Sequence, residues 1–187
     1  MSTVTSIPSL AELVARCEFD PEVAELIEPG APVERAVAAL RGKEKLVEAL
    51  KLLTHALPIQ RGIAWGFECV SQGFVELSPM QRDTLNAVER WLQAPSDEHR
   101  RATFAAGNKS GFDHAIGCLA FSVFLSGGSI APVGVAEVLP DGPVAARALA
   151  GAVLLASLGE GALAAAGKQD RYLNAGLAVL SQIETRS

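Results

Sequence analysis

Aromatic side chains are scarce in this sequence: seven Phe, two Trp and one Tyr among 187 residues. A β-sandwich core draws on aromatic and β-branched residues alternating along strands. Here hydrophobic residues make up 49% of the chain, and most are Ala, Leu and Val, which predicts closely packed helices. A basic stripe is missing too. The net charge is −5, and the densest basic groups are Arg41-Gly42-Lys43 with Lys45, then Arg100-Arg101. Both lie beside acids and are expected to be solvated helix ends. Nucleic acid, which needs a basic face, is therefore excluded as a partner.

Three cysteines, Cys17, Cys69 and Cys118, are odd in number and far apart, with no Cys-x-x-Cys pair. That excludes a disulfide framework and a structural zinc site and suits a reducing compartment, so a cytoplasmic location is expected. The first residues, Met-Ser-Thr-Val-Thr-Ser, lack the basic and apolar regions of a secretory signal. Ala115 to Ala136 carries no charge and is long enough to cross a membrane, but Ser126-Gly127-Gly128-Ser129 and Pro132 interrupt it. About eleven residues of helix precede that break, too few to span. No membrane partner and no cofactor are expected.

What is present is helical periodicity. Residues 1–7 are expected to be a flexible N-terminus and 8–187 a single helical domain. Ser9 with Glu12 forms a capping-box pattern that opens a helix ending near Cys17. Asp20 and Pro21 open a short one over Pro21–Ile27. Val33, Val37 and Leu40 share a face of a third. Lys43–His55 has Leu46, Leu50 and Leu53 at helical spacing. Pro58 begins a helix to about Gly73 or Val75, Met80–Ala94 forms the next, and Ser96-Asp97-Glu98 caps one running to Ala106. Phe112–Pro132 is the central helix with its stop. Ser129–Gly142 reads as a loop in which Val133–Leu139 could pair briefly. Pro143–Ala165, open to a break at Gly159 or Gly161, and Lys168–Ile183 complete the chain. The fold class is all-α, an irregular multi-helix bundle or short helical stack of about nine to ten helices.

Few residues point to chemistry. His114 and Cys118 stand four apart, a spacing open to a Cys–His nucleophile pair or half a metal site. No third ligand or orienting acid is placed to complete either, so a helix-start histidine above a small thiol is preferred. Asp113 fits an N-cap or first-turn acid. His55 stands at a helix end, where an imidazolium suits the dipole, and His99 beside Arg100 and Arg101 is expected to be wet. Gly107-Asn108-Lys109-Ser110 lacks the glycine that a phosphate loop needs before its lysine. Gly159-Glu160-Gly161 follows a helix rather than a strand, so it is no dinucleotide fingerprint. Trp65 and Trp91 are the best partner-binding candidates if exposed. Gly62 and Gly66, four apart, would form a shallow groove for another helix.

Two segments resemble an uncharacterised bacterial helical domain family. Leu57-Pro58-Ile59-Gln60-Arg61-Gly62-Ile63-Ala64-Trp65-Gly66 is similar to its Leu-Pro-x-Arg-Glu-Ala-x-Trp-Trp-Ala motif. Ala120 to Pro132 resembles its Ala-Ala-Phe-x-Ser-Gly-Gly-Ser-Leu-Ala-Pro-Pro signature, and Ser96-Asp97-Glu98-His99-Arg100-Arg101-Ala102 looks like a family pattern between them. The first segment departs from the motif: Gln60 and Arg61 replace Arg and Glu, Ala64 replaces the first Trp, and Gly62 and Gly66 replace Ala. Some members are associated with type VI secretion genes, where small accessory proteins act as chaperones or co-chaperones for effector loading. The resemblance supplies no catalytic residues. It implies a non-enzymatic adaptor or co-chaperone in type VI secretion effector delivery, whose partner is a chaperone, an effector or a second copy of the chain. The alternatives are an immunity protein neutralising a toxin and a small enzyme using Asp113, His114 and Cys118.

Overall fold

A computed structural model describes residues 8–74, 76–159 and 161–185. Residues 1–7, expected to be flexible, lie outside them, as does Glu160. Ten α-helices are present in the described residues, and no strand is. They are α1 (Leu10–Cys17), α2 (Pro21–Ala24), α3 (Val33–Gly42), α4 (Leu46–Ala56), α5 (Ile59–Ser71), α6 (Pro79–Gln93), α7 (Asp97–Ser110), α8 (Ala115–Leu125), α9 (Val144–Leu158) and α10 (Ala162–Glu184). The fold is an all-α multi-helix bundle.

Local chemistry starts several of these helices. At α1 the Ser9 hydroxyl accepts from the Glu12 N–H while the Glu12 carboxylate accepts from the Ser9 N–H. Ser78 and Gln81 repeat that reciprocal cap at α6, and the Ser96 hydroxyl accepts from the His99 N–H at α7. Each cap satisfies donors that the first turn leaves unpaired.

Packing then decides the arrangement. The uncharged α8 packs on α5, α6, α7 and α9, and α9 packs in turn on α4, α5 and α10. Small residues let these helices approach. A Cβ on Gly66 of α5 would lie 2.4 Å from the Leu149 Cδ1 of α9, so the position tolerates only hydrogen without repacking. The Ser122 hydroxyl of α8 donates to the Ala145 carbonyl of α9 at 2.9 Å. One hydrophobic cluster runs from Leu10 through Leu50, Leu53, Ile63, Ile116, Leu119, Leu149 and Val153 to Leu180. Each such leucine contributes about 1.5–3 kcal/mol on leaving water.

Several boundaries differ from those expected. α2 stops at Ala24 rather than Ile27, because the chain tightens into turns before Pro29. α7 runs past Gly107 to Ser110 and ends at Gly111, whose φ of +92° suits glycine. The break near Gly159 is real, and the last helix starts at Ala162 rather than Lys168. Val133–Leu139 forms no strand; the Ile130 N–H donates to the Val138 carbonyl at 2.8 Å, and the segment remains a loop. No helix among the described residues is long and apolar enough to cross a membrane.

Candidate functional site

Arg100 and Arg101 are not solvated helix ends. Arg100 projects from the first turns of α7 into the protein and is buried. Its guanidinium donates to the Phe124 carbonyl at the end of α8, to the Ser129 carbonyl (2.7 Å) and to the Asp97 carboxylate. It also lies over the Phe124 ring, 4.8 Å from the centroid. Arg101 donates to the Ser129 and Ala131 carbonyls, both at 2.9 Å, and to Asp97 at 2.7 Å. The Ser129 carbonyl thus accepts from both arginines. Their hydrogen bonds, Arg100 first, hold the Asp97 carboxyl below its usual range. Planar guanidinium groups are suited to such forked contacts.

This clasp fixes the Ser126–Ser129 turn. Gly128 has φ +66°, and a Cβ there would meet the Arg100 guanidinium at 3.2 Å and the Asp97 carboxylate at 3.3 Å. Beyond the turn the Ser129 hydroxyl accepts from the Ala131 and Val138 N–H groups. The loop is closed on itself, yet Val133, Val135, Val138 and Leu139 stand exposed on it, Val133 at 83% and Leu139 at 63%.

The fixed turn forms one wall of a cavity of about 460 Å³. Leu57, Pro58 and Ile59 at the start of α5 form another, Pro143, Ala145 and Ala146 at the start of α9 a third, and His55 with Ala56 at the end of α4 a fourth. Pro8, Arg16, Leu139 and Pro140 also line it. Segments widely separated in sequence, Leu57-Pro58 and Ser126-Gly127-Gly128, therefore face the same space, and Asp97-Glu98-His99-Arg100-Arg101 anchors the second of them. Among the described residues no acidic side chain lines the cavity.

His55 differs from its expected state. It is 6% exposed and its Nδ1 has no hydrogen-bond partner among the described residues. Burial first, then the positive charges of Arg147, Arg16 and Lys51, push the imidazole from 6.5 down to about 4. It is neutral at pH 7, not an imidazolium facing the helix dipole, because desolvation outweighs that attraction. The unfolded chain takes up this proton near pH 6.5 and the folded protein only near 4. Between those values the unfolded state binds more protons, so stability from this group is complete above 6.5 and is lost as pH falls toward 4. Denaturation midpoints should drop across that window in the parent protein, and the drop should shrink in a His55→Leu variant. An equal drop in both would remove His55 as its source.

The residues of the alternative enzyme reading, Asp113, His114 and Cys118, have structural surroundings. His114, not Asp113, is the N-cap of α8: its Nδ1 accepts from the Gly117 N–H, and its Nε2 lies 2.9 Å from the Ser110 carbonyl. With Nδ1 accepting in the first contact, Nε2 is left to donate in the second. The Cys118 thiol donates to the Phe112 carbonyl. Burial, then the charge of Asp113, raises its pKa, which disfavours a thiolate. His99 is half-buried, with Nδ1 2.7 Å from the Ala94 carbonyl, rather than simply wet. Burial pushes the Cys17 and Cys69 thiols up to about 12. Among the described residues no group of three His, Cys, Asp or Glu is placed to hold a metal ion.

The residues expected to meet a partner also lie inside. Trp65 is buried and donates to the Tyr172 carbonyl of α10 at 3.1 Å, while the Tyr172 hydroxyl donates to the Cys69 carbonyl. Gly62 and Gly66 form the expected groove, but Leu149 of this chain's own α9 fills it. Trp91 is buried too, although it borders an outer groove of about 610 Å³ with Ala64, Pro95 and Val179. Sequence reasoning missed the Arg100–Asp97–Arg101 clasp and the cavity. Residues of the three family-like segments supply both.

An all-α bundle whose family-like segments converge on one cavity is the class that the fold and site define. The chain belongs to DUF6931, a family of unknown function, whose model matches residues 36–180. That span contains all three segments. No curated protein and no solved structure matches the chain.

Proposed function

We propose that this protein is a non-enzymatic accessory factor that binds another protein, acting as a co-chaperone or adaptor in type VI secretion effector delivery. The observation that carries the binding reading is the loop after α8. It holds four large apolar side chains in solvent, Val133, Val135, Val138 and Leu139, beside an apolar cavity. Exposed apolar patches of this kind mark interaction sites, and the two arginines hold this one in place before any partner arrives. The secretion role and bacterial setting rest on the family resemblance alone. The enzyme reading has less support, since His114 and Cys118 are both bonded to backbone.

The test is affinity capture from the native host, read by mass spectrometry, with a Val133→Asp/Val135→Asp variant alongside. A secretion component or effector retained by the parent and lost by the variant is expected. A parent protein that stays a clean monomer and retains nothing would end the adaptor reading.

A further inference from the structure

We infer that the cavity beside the Ser126–Ser129 turn receives the C-terminus of a partner polypeptide, seating an apolar last residue and its free carboxylate. The inference rests on the protein-binding reading and names what that partner presents.

Charge complementarity carries it. No acidic residue among the described ones lines this cavity. Among the described residues Arg16 is the one charged side chain that lines it, and it forms no salt bridge with any of them. Two helix N-termini open onto the space. α5 and α9 begin there, 13 and 15 residues long, and neither has a side-chain cap. Their first-turn N–H groups favour a negative charge. α8 ends at the same cavity, where Arg100 occupies the Phe124 carbonyl and the Ser126 hydroxyl the Val123 carbonyl; α4 also ends there, its Leu53 carbonyl taken by the Leu57 N–H. The second observation is His55, buried on the wall with Nδ1 unpartnered. A ligand oxygen accepting from a proton on Nδ1 would satisfy it, which none of the described residues does.

Size and rim favour a chain end over a folded domain. The volume, about 460 Å³, falls in the range of small-ligand pockets, roughly 300–1,000 Å³. That is space for a terminal residue. Leu139 links the cavity to the exposed Val133–Val138 segment, along which the rest of a polypeptide could lie. Backbone N–H groups capturing a terminal carboxylate, with a pocket for the last side chain, is a recurrent mode of peptide recognition.

The probes are fluorescently labelled peptides Gly-Ser-Ala-Ser-Gly-X, with X being Ala, Val, Leu, Ile or Phe, each as free acid and as C-terminal amide. Octanoate serves as a free carboxylate. Binding to the full chain is read by anisotropy. At least one free acid should bind, with its amide about tenfold weaker for want of charge-assisted hydrogen bonds. Arg16→Ala, an exposed substitution, should weaken that peptide by a similar factor at unchanged Tm. Equal binding of acid and amide, octanoate binding without any peptide, or no peptide bound below about 1 mM would overturn the inference. So would a captured host partner that binds equally well after losing its last three residues. That last result leaves the adaptor reading standing, whereas failure to capture any partner removes the adaptor reading itself.

Discussion

Gly117→Ala is expected to be among the most damaging single substitutions outside the leucine core, costing about 3 kcal/mol, at the upper end of overpacking. Gly117 lies in the first turn of α8, where its N–H meets the capping His114. A Cβ there would stand 1.9 Å from the Gly111 carbonyl oxygen and 2.9 Å from the Phe112 Cα. Both are backbone atoms, so no rotamer change relieves the clash, and the Gly111–Phe112 chain must move off α8. The thermal midpoint should fall by about 6–12 °C for a chain of this size. Gly151→Ala in α9 is the control: its nearest neighbour would be the Cys118 sulfur at 3.9 Å, ordinary contact. There the gain in helix propensity, up to about 1 kcal/mol, should leave stability unchanged or raised. Equal midpoints for the two variants would contradict the close approach.

Arg100→Ala should cost about 3 kcal/mol as well, through lost hydrogen bonds to buried acceptors. The Phe124 carbonyl loses its guanidinium donor, Ser129 keeps only Arg101, and the Phe124 ring loses the cation above it. Lysine should restore little, because one ammonium cannot copy a fork that reaches Phe124, Ser129 and Asp97 together. Calorimetry gives the stability loss, and hydrogen exchange at residues 127–138 gives the local one. If exchange there is as slow in Arg100→Ala as in the parent, the clasp does not hold the loop.

The helices were largely legible in the sequence because their causes are local. Ser9 with Glu12, the Leu46-Leu50-Leu53 spacing and the uncharged run after Ala115 each express a period or cap within a few residues. Other features depend on partners far along the chain. Arg100 reaches Phe124 and Ser129, 24 and 29 positions away, and such side-chain-to-carbonyl bonds leave no periodic trace. Beside Asp97 and Glu98, the pair Arg100-Arg101 looks like an exposed helix end until α8 is laid against it. His55 is similar: its position suggested a dipole contact, and only burial by other segments makes it neutral. Trp65, Gly62 and Gly66 were legible as a contact surface, but periodicity could not say that α9 and α10 of this chain would cover it. The cavity was the least legible feature, since its walls come from several elements and no stretch carries more than part of it.

The shared acceptor at Ser129 has a thermodynamic consequence. Lifting the 129–138 loop breaks contacts to Arg100 and Arg101 together, because both converge on one carbonyl and on Asp97. The loop, the cavity wall and the first turn of α7 should therefore open as one cooperative unit rather than fray separately. Exchange protection at Arg101 and at Val138 would then share a single opening free energy. A partner seated in the cavity would raise both by the same amount.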